Sequence, residues 1–121
     1  MDYRLELVPV PVSDVDRAKA FYAEKMGFVV DLDHEAGEEF RVVQLTPPGS
    51  ACSIAVGTGI VDTAPGSVQG LHLVVPDINA ARAELSGRGV DVGEVQDLGG
   101  MLYAAFGDPD GNGWTLQQLP Y

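Results

Sequence analysis

A chain of 121 residues with 45% hydrophobic and 21% charged side chains can build a compact core and is too apolar for wholesale disorder. Its formal net charge is −11 and its seven Lys and Arg residues are scattered, so neither nucleic acid nor an anionic membrane surface is an expected partner. The one cysteine, Cys52, excludes an intramolecular disulfide and fits a reducing cytoplasm.

The N-terminal stretch MDYRLELVPV lacks the basic start and apolar run of a signal peptide. No apolar stretch reaches membrane-spanning length. A cytoplasmic location is the expectation. LELVPVPV reads as a strand. VSDVDRAKAFYAEKMGF (Val12–Phe28) follows with helical period: Val15, Ala18, Tyr22 and Met26 form one apolar stripe, with Phe21 beside it. Ser13 and Asp16 resemble a capping box, and Gly27 ends the helix. Three strand-like runs come next: FVVDLDH, FRVVQLT and ACSIAVG. His34, in the polar run DLDHEAGEEF, reads as solvated. Cys52 has no basic neighbour in sequence and reads as a structural thiol.

The Gly-, Ser- and Pro-containing stretch TGIVDTAPGSVQG reads as a linker, over about 58–69. Beyond it the pattern repeats. GLHLVVP is a strand. VPDINAARAELSGRGVDV (Val75–Val92) carries a helix whose stripe is Ile78, Ala81 and Leu85, with Asp77 as its cap. VDVGEV, MLYAAFG and GWTLQQL read as strands. Gly99 and Gly100 allow either a plain turn or a mobile loop. Asp14 and Asp77 lie 63 residues apart, as do Val12 and Val75, and Ala18 and Ala81. Each half therefore reads β-α-β-β-β, module 1 over about 1–60 and module 2 over about 70–121, within a single domain spanning 1–121.

A unit of roughly 55 residues cannot bury both faces of its sheet alone. Two units side by side predict an α+β fold. Its curved, partly open mixed sheet carries the helices on the convex face and leaves a concave cleft.

VPVSDVDRAKAFYAEKMGF, GLHLVVPDINAARAELSGRGV and FGDPDGNGWTLQ together resemble the vicinal oxygen chelate superfamily, the group of glyoxalases, bleomycin resistance proteins and extradiol dioxygenases. The resemblance covers essentially the whole chain. It implies paired β-α-β-β-β modules, a homodimer, and either metal-dependent catalysis or metal-free sequestration of antibiotics. Fold membership alone does not choose between these.

In metal-dependent relatives a ligand, usually His, stands on the first strand of each module, seven residues before the Asp that opens the helix. Here those positions are Leu7 and Gly70. The resemblance places the other two ligands at Gln44 and at Thr115, seven residues after Asp108. A divalent ion needs several convergent carboxylates, imidazoles or thiolates. This set offers one amide and one hydroxyl, so no metal and no cofactor are expected.

Strand alternation, combined with that register, divides the side chains between two faces. Leu7, Phe40, Gln44, Gly70, His72, Thr115 and Gln117 fall on the cleft side. Val8, Val10, Val12, Val43, Leu45, Leu71, Leu73 and Val75 fall under the helices. Trp114 has helix-side parity, and the register of Tyr103 is open. His72 is the candidate general acid or base, or a hydrogen-bonding group. Gln44, Thr115 and Gln117 offer neutral hydrogen bonds on a mostly apolar wall, and Phe40 and Tyr103 can stack a ring.

Three functions follow. The first is metal-independent binding of an apolar or aromatic metabolite or antibiotic. The second is a metal-free isomerase, cyclase or lyase using His72. The third is a metal-dependent glyoxalase or dioxygenase. The sequence leaves open whether the modules pair within one chain or between two.

DPDGNGWTLQQ (Asp108–Gln118) begins like a calcium loop, but its twelfth position is Leu119 rather than a bidentate Glu. It reads instead as a hairpin turn that fixes the register of the last strand.

Overall fold

The computed structural model describes residues 1–121. Its strands are β1 (Leu7–Pro9), β2 (Val29–Glu35), β3 (Arg41–Thr46), β4 (Ser53–Thr58), β5 (Leu71–Val74), β6 (Gln96–Leu98), β7 (Met101–Gly107) and β8 (Gly113–Gln118). Helix α1 (Val15–Ala20) runs on into a π-helical turn (Phe21–Lys25), and α2 spans Ile78–Gly87. Each half is thus β-α-β-β-β, as the repeat predicts.

The mixed sheet is realised as two four-stranded sheets, ordered β1-β4-β3-β2 and β5-β8-β7-β6. β1 pairs parallel with β4, and β5 with β8; the other pairings are antiparallel. β1 and β5 are short edge strands, and Pro9 blunts the first.

The predicted inside faces form one core shared by both modules, except that Val8 is only half-buried and stands outside it. Val10, Val43 and Leu45 are fully buried, while Val12, Leu71, Leu73 and Val75 pack against them from its margin. Trp114 joins them at 3% exposure, stacked on Phe106, and so sits away from the cleft side. In the π-helical turn Met26 N–H donates to Phe21 O, five residues back. This widened turn brings both Phe21 and Tyr22 into the core, with Tyr22 stacked against Phe28.

The caps correct one reading. Asp77 caps α2 by accepting from Ala80 N–H at 3.0 Å. Asp14, at the equivalent position, caps α1 by accepting from Arg17 N–H at 3.0 Å. Ser13 is not the cap. Its hydroxyl donates across the molecule to Asp110 Oδ1 at 2.6 Å. Gly89 ends α2 in the left-handed region, where Val90 N–H closes back on Leu85 O.

VDVGEV is not a strand. Val90 and Val92 are buried at 5% and 4%, so their alternation reflects a loop dropping two side chains into the core. Only Gly93 N–H reaches β7, at Ala105 O. The sixth strand begins later, at Gln96. Gly99 and Gly100, both with positive φ, form the two-residue turn between β6 and β7 and act as a plain hairpin. His34 lies at the exposed end of β2 rather than in a loop.

Candidate functional site

The largest cavity, about 460 Å³, lies on the cleft face of module 2. His72 enters from β5, Thr115 from β8, Tyr103 and Ala105 from β7, and Gln96 and Leu98 from β6. Register explains the grouping. His72 pairs directly with Thr115, Thr115 with Ala105, and Tyr103 with Gln96, so their side chains share one face. Tyr103, whose position the sequence left open, belongs to this face. Its ring meets His72 edge to face at 6.2 Å.

His72 Nδ1 lies 2.7 Å from Gly70 O. A carbonyl only accepts, so Nδ1 carries the hydrogen and Nε2 of the neutral ring is left as an acceptor or base. Thr115 and Gln96 add neutral donors and acceptors. Glu94 is the one carboxylate lining the cavity, and no Lys or Arg lines it. Leu98 and Ala105 supply apolar surface. The arrangement suits an uncharged or amine-bearing planar molecule and has no cation to hold a phosphate or carboxylate.

The other candidates lie elsewhere. Leu7, Phe40 and Gln44 sit on the corresponding face of module 1 and do not line this cavity. Leu7 and Phe40 are each 37% exposed, and Phe40 meets the His34 ring at 6.4 Å. Gly70 borders a smaller space of about 290 Å³ where the modules meet, together with His72 and Cys52. Gln117 Nε2 donates to Met101 Sδ at 2.8 Å. Gln118 has a structural role: its Oε1 accepts from Ile78 N–H and so secures the start of α2. Cys52 is half-buried, with Sγ 3.6 Å from Ser53 O.

Glu94 and Gln96 are the site residues that sequence reasoning missed. Reading VDVGEV as a strand absorbed Glu94 into a ladder and left Gln96 in a turn. The signal that could have found them is the polar tail EVQD, which no core position needs.

The four positions at which related enzymes hold a metal do not fit one here. Leu7 and Gly70 have no donor side chain. Gly70 has φ +84°, a conformation that resists a histidine at that point. Leu7 pairs with Ser53 two residues before Pro9 pairs with Ala55, while His72 pairs with Thr115. Given the 63-residue offset between Pro9 and His72, Thr115 is therefore related to Ala55, not to Gln44. The symmetric set then holds a single hydroxyl. No three His, Cys, Asp or Glu side chains converge anywhere in the chain.

A second groove of about 370 Å³, between α2 and the turn at Pro47 and Pro48, is more apolar. Its charged groups, Glu84 and Arg88, are paired with each other, so it lacks free polar groups to orient a ligand.

Residues 4–116 match the model of the Glyoxalase/Bleomycin resistance protein/Dioxygenase superfamily. TnmS3, an antibiotic binding protein from Streptomyces sp. CB03234, is similar at 37% identity and a TM-score of 0.87, covering 97% of this chain and 96% of that one. A superfamily member from Sphaerobacter thermophilus DSM 20745 is 28% identical, with a TM-score of 0.86 and 98% of each chain covered. YetH of Bacillus subtilis (strain 168), an uncharacterized protein, is 29% identical over 115 residues, covering 92% of this chain and 94% of that one.

Proposed function

The chain belongs to the Glyoxalase/Bleomycin resistance protein/Dioxygenase superfamily, and from that premise we propose that it binds an apolar or aromatic small molecule without using a metal. The observation that carries this reading is the cavity itself. His72, Tyr103, Gln96 and Thr115 converge there beside the apolar Leu98 and Ala105 and the Glu94 carboxylate, while the metal positions of related enzymes offer no more than one hydroxyl. A few placed polar groups on an apolar surface orient a ligand that is driven in mainly by burial. The likeness to an antibiotic binding protein at 37% identity supports the same class of ligand, a metabolite or an antibiotic.

The functional unit in this reading is a homodimer. Leu5, Leu7, Leu32, Val74 and Leu98 are between 37% and 69% exposed and offer apolar side chains that a second copy would cover. No helix is long and apolar enough to cross a membrane.

One observation favours a second reading, a metal-free isomerase, cyclase or lyase. The Nδ1 contact of His72 leaves Nε2 available as a general base. The carboxylate that could serve as its partner is Glu94.

Isothermal titration against a broad panel of aromatic and polycyclic compounds tests the binding reading. Saturable binding of one ligand per chain, lost on replacing His72 and Tyr103, supports it. A folded protein that binds no member of the panel overturns it. Turnover of a bound compound that disappears in His72→Ala establishes the enzymatic reading instead. Stoichiometric Ni, Zn or Fe in protein purified without chelator overturns metal independence.

A further inference from the structure

The carboxylate on the cavity wall has no partner. Glu94 is exposed there and takes part in none of the chain's ion pairs. The backbone beside it is nevertheless anchored. Arg82 Nε–H, from α2, donates to Gly93 O at 2.7 Å. Gly93 N–H donates to Ala105 O, on β7, at 2.8 Å. Val92 is buried on one side of Glu94, and Val95 packs against the core on the other. The loop thus commits its apolar side chains to the interior and delivers one free carboxylate to the cavity.

The rest of the wall agrees with that carboxylate in hydrogen-bond sign. Gly70 O holds the His72 hydrogen on Nδ1, so Nε2 of the neutral ring accepts. Thr115, Gln96 and Tyr103 each have an oxygen that accepts as well. Lys and Arg, the donor-only side chains, are absent from the wall. Arg82, the cation that contacts the loop, is turned to Gly93 O and does not line the cavity. Tyr103 adds an aromatic ring, and the face of such a ring attracts a cation. Asp91 and Asp97 flank Glu94 in sequence, and the net charge of −11 extends the same sign over the molecule.

We infer that the cavity selects flat aromatic ligands that carry a protonated amine, and that Glu94 sets this preference. The inference rests on the binding reading above and narrows its ligand class. An ammonium is donor-only and positive, so it complements the wall in both hydrogen bonding and charge. An acylated amine keeps the aromatic body but loses the charge and most of the donors. An anionic group meets only like charge. Because water reaches Glu94, the carboxylate decides between ligands of similar shape, while burial of the aromatic body supplies most of the affinity.

The test compares amines with their N-acetyl forms. Doxorubicin, dansylcadaverine and naphthylmethylamine, each in both forms, are titrated by fluorescence into the wild-type chain, Glu94→Gln and Glu94→Lys. At low salt the amine should bind about fivefold to tenfold more tightly than its N-acetyl form. Added salt should narrow that gap. Glu94→Gln should bring the two forms within about twofold of each other, and Glu94→Lys should reverse their order, with the N-acetyl affinity unchanged in both variants. Equal wild-type affinity for the two forms, or a gap that survives in Glu94→Gln, overturns the inference and leaves the binding reading standing. Folded wild-type chain that binds neither form of any of these compounds overturns the inference too, and the binding reading falls with it only if the broad aromatic panel also fails.

Discussion

Tyr22 Oη, at the end of the first helix, donates to Asp108 Oδ2, at the start of the last hairpin turn, at 2.7 Å. Trp114 Nε1 donates to the same phenol oxygen at 2.9 Å. Asp108 also accepts from Asn112 Nδ2 at 2.8 Å and Asn112 N–H at 2.9 Å. Asn112 in turn donates to Pro11 O and accepts from Val68 N–H. The turn DPDGN is thus a clasp: its side chains hold module 1 and the linker to module 2. All buried polar side-chain atoms are satisfied.

Removing one member leaves buried groups unpaired, which costs more than the hydrogen bond contributes. Tyr22→Phe leaves the Trp114 indole N–H without its acceptor and Asp108 Oδ2 with Asn112 Nδ2 as its remaining donor, and should lower stability by about 1–3 kcal/mol. Asp108→Ala removes four accepted hydrogen bonds and should lose on the order of 3–5 kcal/mol. Urea unfolding followed by tryptophan fluorescence reads both. Asp110→Ala, which frees only Ser13 and Arg17, should lose less than Asp108→Ala.

Burial, and then the neighbouring Asp108 carboxylate, pushes the Tyr22 phenol far above the usual tyrosine range. The folded state therefore holds this proton more tightly than the unfolded state does. Its contribution to stability is complete below about pH 10 and is lost as pH rises beyond that, because unfolding then releases the proton. Among the four tyrosines, Tyr22 should ionise only as the chain unfolds. Ultraviolet titration should show a late phase that Tyr22→Phe removes.

The opposite sign holds at Asp33. Hydrogen bonds from Arg41, at 2.9 and 3.1 Å, and then from Lys19, at 2.8 Å, hold its carboxyl well below the usual carboxylate range. Stability from this cluster is present above about pH 4 and lost as pH falls. Solvent reaches the pair, so Asp33→Asn should cost about 1 kcal/mol or less near neutrality. The acid unfolding midpoint should move upward in pH.

Much of this fold was legible in local pattern. Asp77 could be read as the cap of the second helix, and strand parity placed Val43, Leu45 and Trp114 in the core. What failed depended on distant partners. Ser13 looks like a cap within its own window, and its real partner, Asp110, is 97 residues away. Val90 and Val92 alternate as in a strand, but no ladder partner reaches them. At the candidate site, His72 and Thr115 were legible from parity. Glu94 and Gln96 were not, because the loop that presents them is shaped by the burial of Val90 and Val92.

Gly57 marks a close approach that sequence could not show. A Cβ there would lie 2.0 Å from Arg41 O in the neighbouring strand. Gly57→Ala should push β3 from β4 and cost on the order of 2–4 kcal/mol, read as a lowered thermal midpoint.

The binding face itself decides the account. Titration of an aromatic panel into the wild-type chain, followed by the same titration into His72→Ala and Tyr103→Ala, tests it most directly. A saturable ligand is expected, weakened about fivefold by loss of the His72 hydrogen bond and about tenfold by loss of the Tyr103 ring. Binding that survives both substitutions unchanged, or no binding by folded protein, contradicts it.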